Sequence, residues 1–156
     1  MTSAQSGAVV RRLALSDMEP AARVHRDAFD HRLPWLSGLH TRDEDVDFFR
    51  KQVFRTCEMW GAFDGRNLTG FIAYRDEWID QLYVLPGAQG GGIGTRLLSI
   101  AKAASPSLSL WTFQRNANAR SFYESRGFSV VELTDGSRND EKEPDVLYRW
   151  VRAIHP

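Results

Sequence analysis

The chain has 156 residues, of which 42% are hydrophobic and 26% are charged, a composition typical of one globular domain and not of a disordered chain. Twenty basic residues balance 20 acidic ones, so the basic excess of a nucleic-acid binder is missing. With one cysteine, Cys57, no apolar run of the roughly 18 residues that span a bilayer and no signal-peptide pattern, we expect a cytoplasmic protein without internal disulfides or membrane contact.

The sequence predicts a loose tail over 1–7 and one α/β domain over 8–156. A first strand is expected over 9–13. A helix follows to about residue 29, with Ser16 and Glu19 in a capping box and Pro20 in its first turn. Periodicity and turn signals predict further strands over 58–63, 68–75, 80–85, 107–113, 128–133 and 146–151, and helices over 43–54, from about 92 to 104, and over 117–126.

A glycine-rich turn between a predicted strand and a predicted helix is the most informative segment. It is Pro86-Gly87-Ala88-Gln89-Gly90-Gly91-Gly92-Ile93-Gly94-Thr95. A helix start offers unpaired N–H groups and a positive dipole end, and glycine lets an anion approach, so the turn predicts a phosphate or pyrophosphate cradle. A Walker A loop does not fit, because Ile93 and not lysine follows Gly92, and Thr95 argues against a dinucleotide fingerprint. A loop that only caps the helix is the alternative.

Two motifs carry a resemblance to a known family. The first is Gln89-x-x-Gly92-x-Gly94, and the second is Asn116-x-x-Ala119-x-x-Phe122-Tyr123-Glu124-x-x-Gly127-Phe128. In this order, about 27 residues apart, they resemble the acetyl-CoA signature and the following strand–helix block of the GCN5-related N-acetyltransferase (GNAT) superfamily. The order of predicted elements matches the family from about residue 8 to 151. The resemblance implies a mixed, mostly antiparallel sheet flanked by helices, with strands 4 and 5 splayed apart.

The resemblance also implies acetyl-CoA as cosubstrate and no metal. The backbone of strand 4 would pair with the pantetheine arm, and N–H groups of the turn would hold the pyrophosphate. The implied cofactor-binding residues are Leu82, Tyr83, Val84, Gln89, Gly90, Gly91, Gly92, Ile93, Gly94, Thr95, Asn116 and Tyr123. Many family members have a cation where this chain has Gly91. Asn116 could be a helix N-cap, either alone or in addition to a cofactor contact.

Catalytic roles follow from the same resemblance. Tyr123 is expected near the thioester sulfur, where its phenol could protonate the departing thiolate; a core aromatic residue is the alternative. Where relatives carry a glutamate as base, this chain has Trp78 and Trp111, which take no proton. Asp80 and Glu77 are the nearest carboxylates. Strand alternation keeps Asp80 on the face of Trp78, so we predict Asp80 as the general base, with a solvated strand-end aspartate as the alternative.

Other side chains could shape the acceptor side. Trp78, Trp111, Trp35 and Phe113 could form an aromatic wall, with core or sheet packing as the alternative for each. His31 and His40 could carry protons, with solvated loop side chains as the alternative. The segment 135–145 has five acidic and two basic residues, which predicts either a solvated loop or an electrostatic funnel for a cationic amine.

Together these features predict an acetyl-CoA-dependent N-acetyltransferase that moves the acetyl group directly to a primary amine of a small molecule or peptide. The two tryptophans at the expected base positions leave open a non-catalytic acyl-CoA-binding sensor of the same fold. A toxin-type enzyme acting on aminoacyl-tRNA is disfavoured by the neutral net charge. A homodimer is left open.

Overall fold

The computed structural model describes residues 7–38 and 40–153, so the predicted tail lies outside the described residues except for Gly7. The strands are β1 (Ala8–Arg12), β2 (Glu58–Asp64), β3 (Asn67–Arg75), β4 (Trp78–Val84), β5 (Ser107–Phe113), β6 (Ser129–Leu133) and β7 (Asp145–Val151). The helices are α1 (Met18–Arg32), α2 (Arg42–Phe48), α3 (Ile93–Ala104) and α4 (Ala117–Glu124). A π-helical turn, Phe49–Val53, and a last turn, Phe54–Thr56, continue α2. None of the described helices is long and apolar enough to cross a membrane.

The seven strands form one mixed sheet in the order β1-β2-β3-β4-β5-β7-β6. All neighbours are antiparallel except β4 and β5, which are parallel and pair only between Trp78 and Ser109. Beyond that pair the two strands diverge, so the predicted splay of strands 4 and 5 is confirmed. A strand edge that faces no partner presents free backbone N–H and C=O groups. The slot between β4 and β5 therefore has a hydrogen-bonding wall.

Helices cover both faces of the sheet, and an apolar cluster lies under each layer of helices. Because successive side chains of a strand point to opposite faces, β3 contributes to both clusters. Phe71 lies in the cluster under α1 and α2, together with Met18 and Phe49. Ile72, the next residue, lies in the cluster under α3 and α4, together with Leu97 and other fully buried side chains. A strand buried on both faces is rich in apolar residues, as β3 is.

The start of α1 differs from the predicted capping box. The helix begins at Met18, so Ser16 is not its N-cap, and Asp17 takes the capping position instead. The Asp17 carboxylate accepts from the backbone N–H of Ala14 at 2.7 Å and from the Arg11 guanidinium at 2.9 and 3.1 Å. The box is wrong because Ser16 lies inside a 3-10 turn, Leu15–Asp17, that runs directly into the helix, so it lacks the extended backbone of an N-cap.

Candidate active site

A cavity of about 490 Å³ occupies the slot between β4 and β5 and continues to the glycine-rich turn. It brings together nearly all of the site residues expected from the sequence: Asp80, Leu82, Tyr83, Val84, Gln89, Gly90, Gly92, Ile93, Gly94, Thr95, Asn116 and Tyr123. Gly91 does not line it, although both of its neighbours do. Residues separated by more than 40 positions in the chain thus share one opening.

The turn itself has the backbone shape of an anion cradle. Gly90 and Gly92 have φ angles of 87° and 85°, a left-handed conformation that favours glycine. Gly92 is the N-cap of α3, whose first N–H groups have no intrahelical partner. The Gln89 amide nitrogen donates to the carbonyl of Val84 at 2.8 Å and ties the turn to the end of β4. The N–H groups of the first turn of α3 therefore open onto the cavity.

Tyr123 is a core aromatic residue that also lines the cavity. Its side chain is 7% exposed and packs against Phe122 and Phe128, with ring centroids at 5.2 and 5.3 Å. It also lines the cavity. Burial raises the pKa of Tyr123 far above its ordinary range, so the phenol keeps its proton at physiological pH. A protonated hydroxyl at the cavity wall can donate a hydrogen bond or a proton, but it cannot act as a base.

Asn116 is the N-cap of α4, since its Oδ1 accepts from the N–H of Ala119 at 3.2 Å. It lines the cavity at the same time. Arg32, which lies beyond the predicted end of the first helix, is in the last turn of α1 and contacts two polar residues of the cavity wall. Its guanidinium donates to Gln89 Oε1 and, with the Asn118 amide oriented to present its oxygen, to Asn118 at 2.9 Å. Arg32 was missed because α1 runs three residues beyond its predicted end.

Asp80 lies at an irregularity of β4. Ala73 of β3 pairs with Gln81, but the next residue, Tyr74, pairs with Ile79, which leaves Asp80 as an extra residue without a partner in β3. Such a bulge bends a strand and redirects side chains, so simple alternation does not hold across it. The Asp80 Oδ2 atom accepts from Arg75 Nε at 2.7 Å; Oδ1 accepts no hydrogen bond from the residues described.

Cys57 lies beside Asp80, with its Sγ 3.4 Å from Asp80 Oδ2. Burial, together with the charge of Asp80, raises the pKa of the Cys57 thiol to about 11. The thiol is therefore protonated at neutral pH and is not a nucleophile. Glu77, the other candidate carboxylate, accepts from the Ser107 hydroxyl and does not line the cavity.

Only part of the expected aromatic wall is present. Trp111, 45% exposed, and Phe113 line the cavity, whereas Trp78 and Trp35 do not. The Trp35 indole donates instead to Glu143 Oε1 at 3.1 Å. His31 and His40 are exposed and outside the cavity lining.

The acidic segment 135–145 uses several of its carboxylates internally. Asp145 accepts from Thr134 and Asn139, and the buried Glu143 carboxylate faces Trp35. Glu141 stands apart, because its negative charge reaches Tyr83 on the cavity wall. The pKa of Tyr83 rises to about 12, mainly through burial and further through Glu141.

The comparisons with known proteins decide the family. A family model described as "Acetyltransferase (GNAT) domain" matches residues 55–130. The chain is 34% identical over 148 residues to the peptidyl-lysine N-acetyltransferase YjaB of Salmonella typhimurium, over 94% of this chain and 97% of that protein. The chain belongs to the GCN5-related N-acetyltransferase family. The resemblance drawn from the two sequence motifs is thereby confirmed.

Two further matches are consistent with this GNAT assignment. The probable N-acetyltransferase Rv2775 of Mycobacterium tuberculosis is 40% identical over 109 residues, which are 63% of this chain and 63% of that protein; the match spans less than two thirds of that relative. The PaiA N-acetyltransferase of Thermoplasma acidophilum, solved in complex with coenzyme A, has a similar fold, with a TM-score of 0.72 and 22% identity over 93% of this chain and 99% of that chain.

This GNAT protein is an acetyl-CoA-dependent N-acetyltransferase, with acetyl-CoA as its cosubstrate. The cavity fits that molecule chemically. Its glycine-rich end offers N–H groups to phosphates, and its unpaired β4 edge offers N–H and C=O groups to the amides of a pantetheine arm. Within 7–38 and 40–153, no group of three or more histidine, cysteine, aspartate or glutamate side chains is arranged to hold a metal ion.

Proposed function

We propose that this acetyltransferase acetylates the ε-amine of lysine in a peptide or protein. The observation that carries the proposal is the single cavity that joins the glycine-rich turn to Asp80, Tyr123 and the exposed Trp111. Cofactor and acceptor can meet there in one slot, so the acetyl group passes directly between them. The similarity to a peptidyl-lysine N-acetyltransferase over nearly the whole chain supports lysine as the acceptor class.

The cofactor would lie along the cavity with its phosphates at the turn and its thioester in the slot. The backbone of Leu82, Tyr83 and Val84 would pair with the pantetheine arm, and the N–H groups of residues 89–95 would hold the pyrophosphate. The free amide nitrogen of Asn116 could donate to the arm, because only its Oδ1 is used by the cap. A backbone N–H near Val84 would polarise the thioester carbonyl.

Asp80 would accept a proton from the acceptor ammonium, directly or through water, and the neutral amine would then attack the thioester. Tyr123 would hydrogen-bond to the departing thiolate and give it a proton. The free Oδ1 of Asp80 suits this role, while Arg75 and Cys57 hold Oδ2. Asp80→Asn keeps the size of the side chain and removes its basicity. Its turnover should fall about tenfold or more near pH 7 and recover at high pH, where the amine loses its proton without help. Equal losses at all pH values would contradict the base role.

The experiment that tests the proposal is an acceptor panel with acetyl-CoA. The panel contains a lysine peptide with a blocked N-terminus, the same peptide with norleucine in place of lysine and a free N-terminus, a polyamine and an aminoglycoside. Free thiol release measures turnover, and mass spectrometry locates the acetyl group. We expect turnover on the lysine peptide and little on the norleucine peptide. Thiol release only with the polyamine or the aminoglycoside would refute lysine as the acceptor, and binding of acetyl-CoA without release in any arm would indicate a sensor.

A further inference from the structure

Arg126 is a cation at the phosphate end of the cavity. It follows α4 in the chain, lines the cavity, and reaches across to the first turn of α3. There its Nε and Nη2 atoms donate to the Thr95 hydroxyl at 3.0 and 2.8 Å. Its guanidinium also stacks on the Phe122 ring, 3.9 Å from the centroid, and Nη1 donates to the carbonyl of Phe122 at 3.0 Å. The side chain is thus fixed at one edge of the glycine-rich turn.

The partners of Arg126 are all neutral. Among the described residues, none of the ion pairs involves Arg126. Its positive charge lies beside the N-terminus of α3, which is itself the positive end of a helix dipole. These two positive groups lie side by side, so an anion bound between them would be attracted by both.

The turn itself contributes no cation, because residues 86–95 include neither lysine nor arginine. Arg32, the other arginine of the cavity lining, holds the amides of Gln89 and Asn118. We propose that Arg126 binds a phosphate group of acetyl-CoA and so supplies, from the end of α4, the positive charge that the turn lacks. The inference rests on acetyl-CoA as the cosubstrate and not on the identity of the acceptor.

The test is a binding titration without acceptor. Arg126→Gln should weaken acetyl-CoA roughly ten- to a hundredfold, the range expected for a lost charge-assisted hydrogen bond. Arg55→Gln, which removes an exposed arginine outside the cavity, is the matched control and should bind like the parent. Acetyl-pantetheine carries no phosphate, so its affinity should differ less than about twofold between parent and Arg126→Gln. With 3′-dephospho-acetyl-CoA, a persisting loss assigns the contact to the pyrophosphate, and a vanished loss assigns it to the 3′-phosphate.

A rescue separates charge from folding. Gly91 has an ordinary φ angle, and a Cβ added there would meet nothing closer than the Ala88 carbonyl oxygen at 3.8 Å, so Gly91→Arg adds a cation to the turn without backbone strain. In the Arg126→Gln background it should restore most of the lost affinity for acetyl-CoA. Melting of each variant without ligand checks that the fold is intact. Acetyl-CoA affinity within twofold of the parent, or equal weakening of acetyl-pantetheine, would overturn the assignment of Arg126 while leaving the acceptor panel unaffected.

Discussion

His25 gives this protein a specific sensitivity to acid, and the effect can be worked out from its surroundings. The ring is packed among Phe29, Phe49 and Tyr83, with centroid distances of 5.8, 5.6 and 4.7 Å. Burial, with a smaller contribution from Arg26, lowers the pKa of His25 from 6.5 to about 4. Among the described residues Nδ1 has no hydrogen-bond partner, so an apolar ring of similar size should be tolerated at this position.

The sign of the pH effect follows from the lowered pKa. The unfolded chain binds a proton at His25 more tightly than the folded protein, so stability is complete above about pH 6.5 and is lost as the pH falls toward 4. A group with these two pKa values removes about 2 kcal/mol from the free energy of unfolding between pH 7 and pH 5. Carboxylates with a lowered pKa, such as Asp17 beside Arg11, lose their contribution only at lower pH. Measurements that stop at pH 5 therefore isolate the histidine.

Urea denaturation at pH 7 and pH 5 measures the difference. The parent should lose about 2 kcal/mol between the two conditions, and His25→Phe should lose less than about 0.5 kcal/mol. His31→Gln is the matched control, because His31 is exposed at the end of the same helix, and it should behave like the parent. If His25→Phe loses as much stability as the parent, burial of a neutral His25 is not the cause of the acid sensitivity.

Three further outcomes concern turnover and ligand binding. Acetyl-CoA at 100 times the parent's Kd should stabilise the protein by about 2.7 kcal/mol and raise its Tm more than ATP or NADH does. At the same acetyl-CoA concentration, Gly91→Glu should reduce the rise in Tm, whereas Gly91→Arg should not. Equal rises in both variants would contradict the anion cradle. Tyr123→Phe should lower kcat at least tenfold with little change in the KM for acetyl-CoA, and unchanged turnover would leave Tyr123 a packing residue. Glu141→Gln should raise the KM for a lysine peptide at low salt and flatten its salt dependence, whereas an unchanged KM would make the acidic segment only a connection.

The regular elements could be predicted because their signals are local. The strand over 107–113 and the helix from about 92 to 104 match β5 and α3 closely, since alternation and helical spacing lie within the segments themselves. The misses arise from contacts between segments. The Asp17 carboxylate accepts a hydrogen bond from Arg11 of β1, and the bulge at Asp80 depends on the register between β4 and β3. Neither contact is visible in a local window of sequence.

The net charge of segment 135–145 overstates the negative charge that a substrate can contact. The sum of acidic and basic residues treats every carboxylate as solvated, but the Asp145 and Glu143 side chains hold the loop and its neighbours together. The buried Glu143 carboxylate accepts from the Trp35 indole and pairs with Arg115, so neutralising it would weaken contacts that hold the loop in place. Its effect on acceptor binding could not then be separated from damage to the loop. Glu141→Gln alone is therefore the cleaner test of an electrostatic funnel.

The division between what the motifs revealed and what they missed has a physical basis. The glycine-rich turn acts through backbone N–H groups, whose positions follow from local sequence, so spacing alone was enough to find it. Charged side chains need no fixed spacing, because any element that ends near the turn can deliver one. Arg32 arrives from α1 and Arg126 from the end of α4, and both line the same cavity. Affinity for a phosphate-bearing cosubstrate can therefore be retained when the turn carries no cation, provided that the fold brings one from elsewhere.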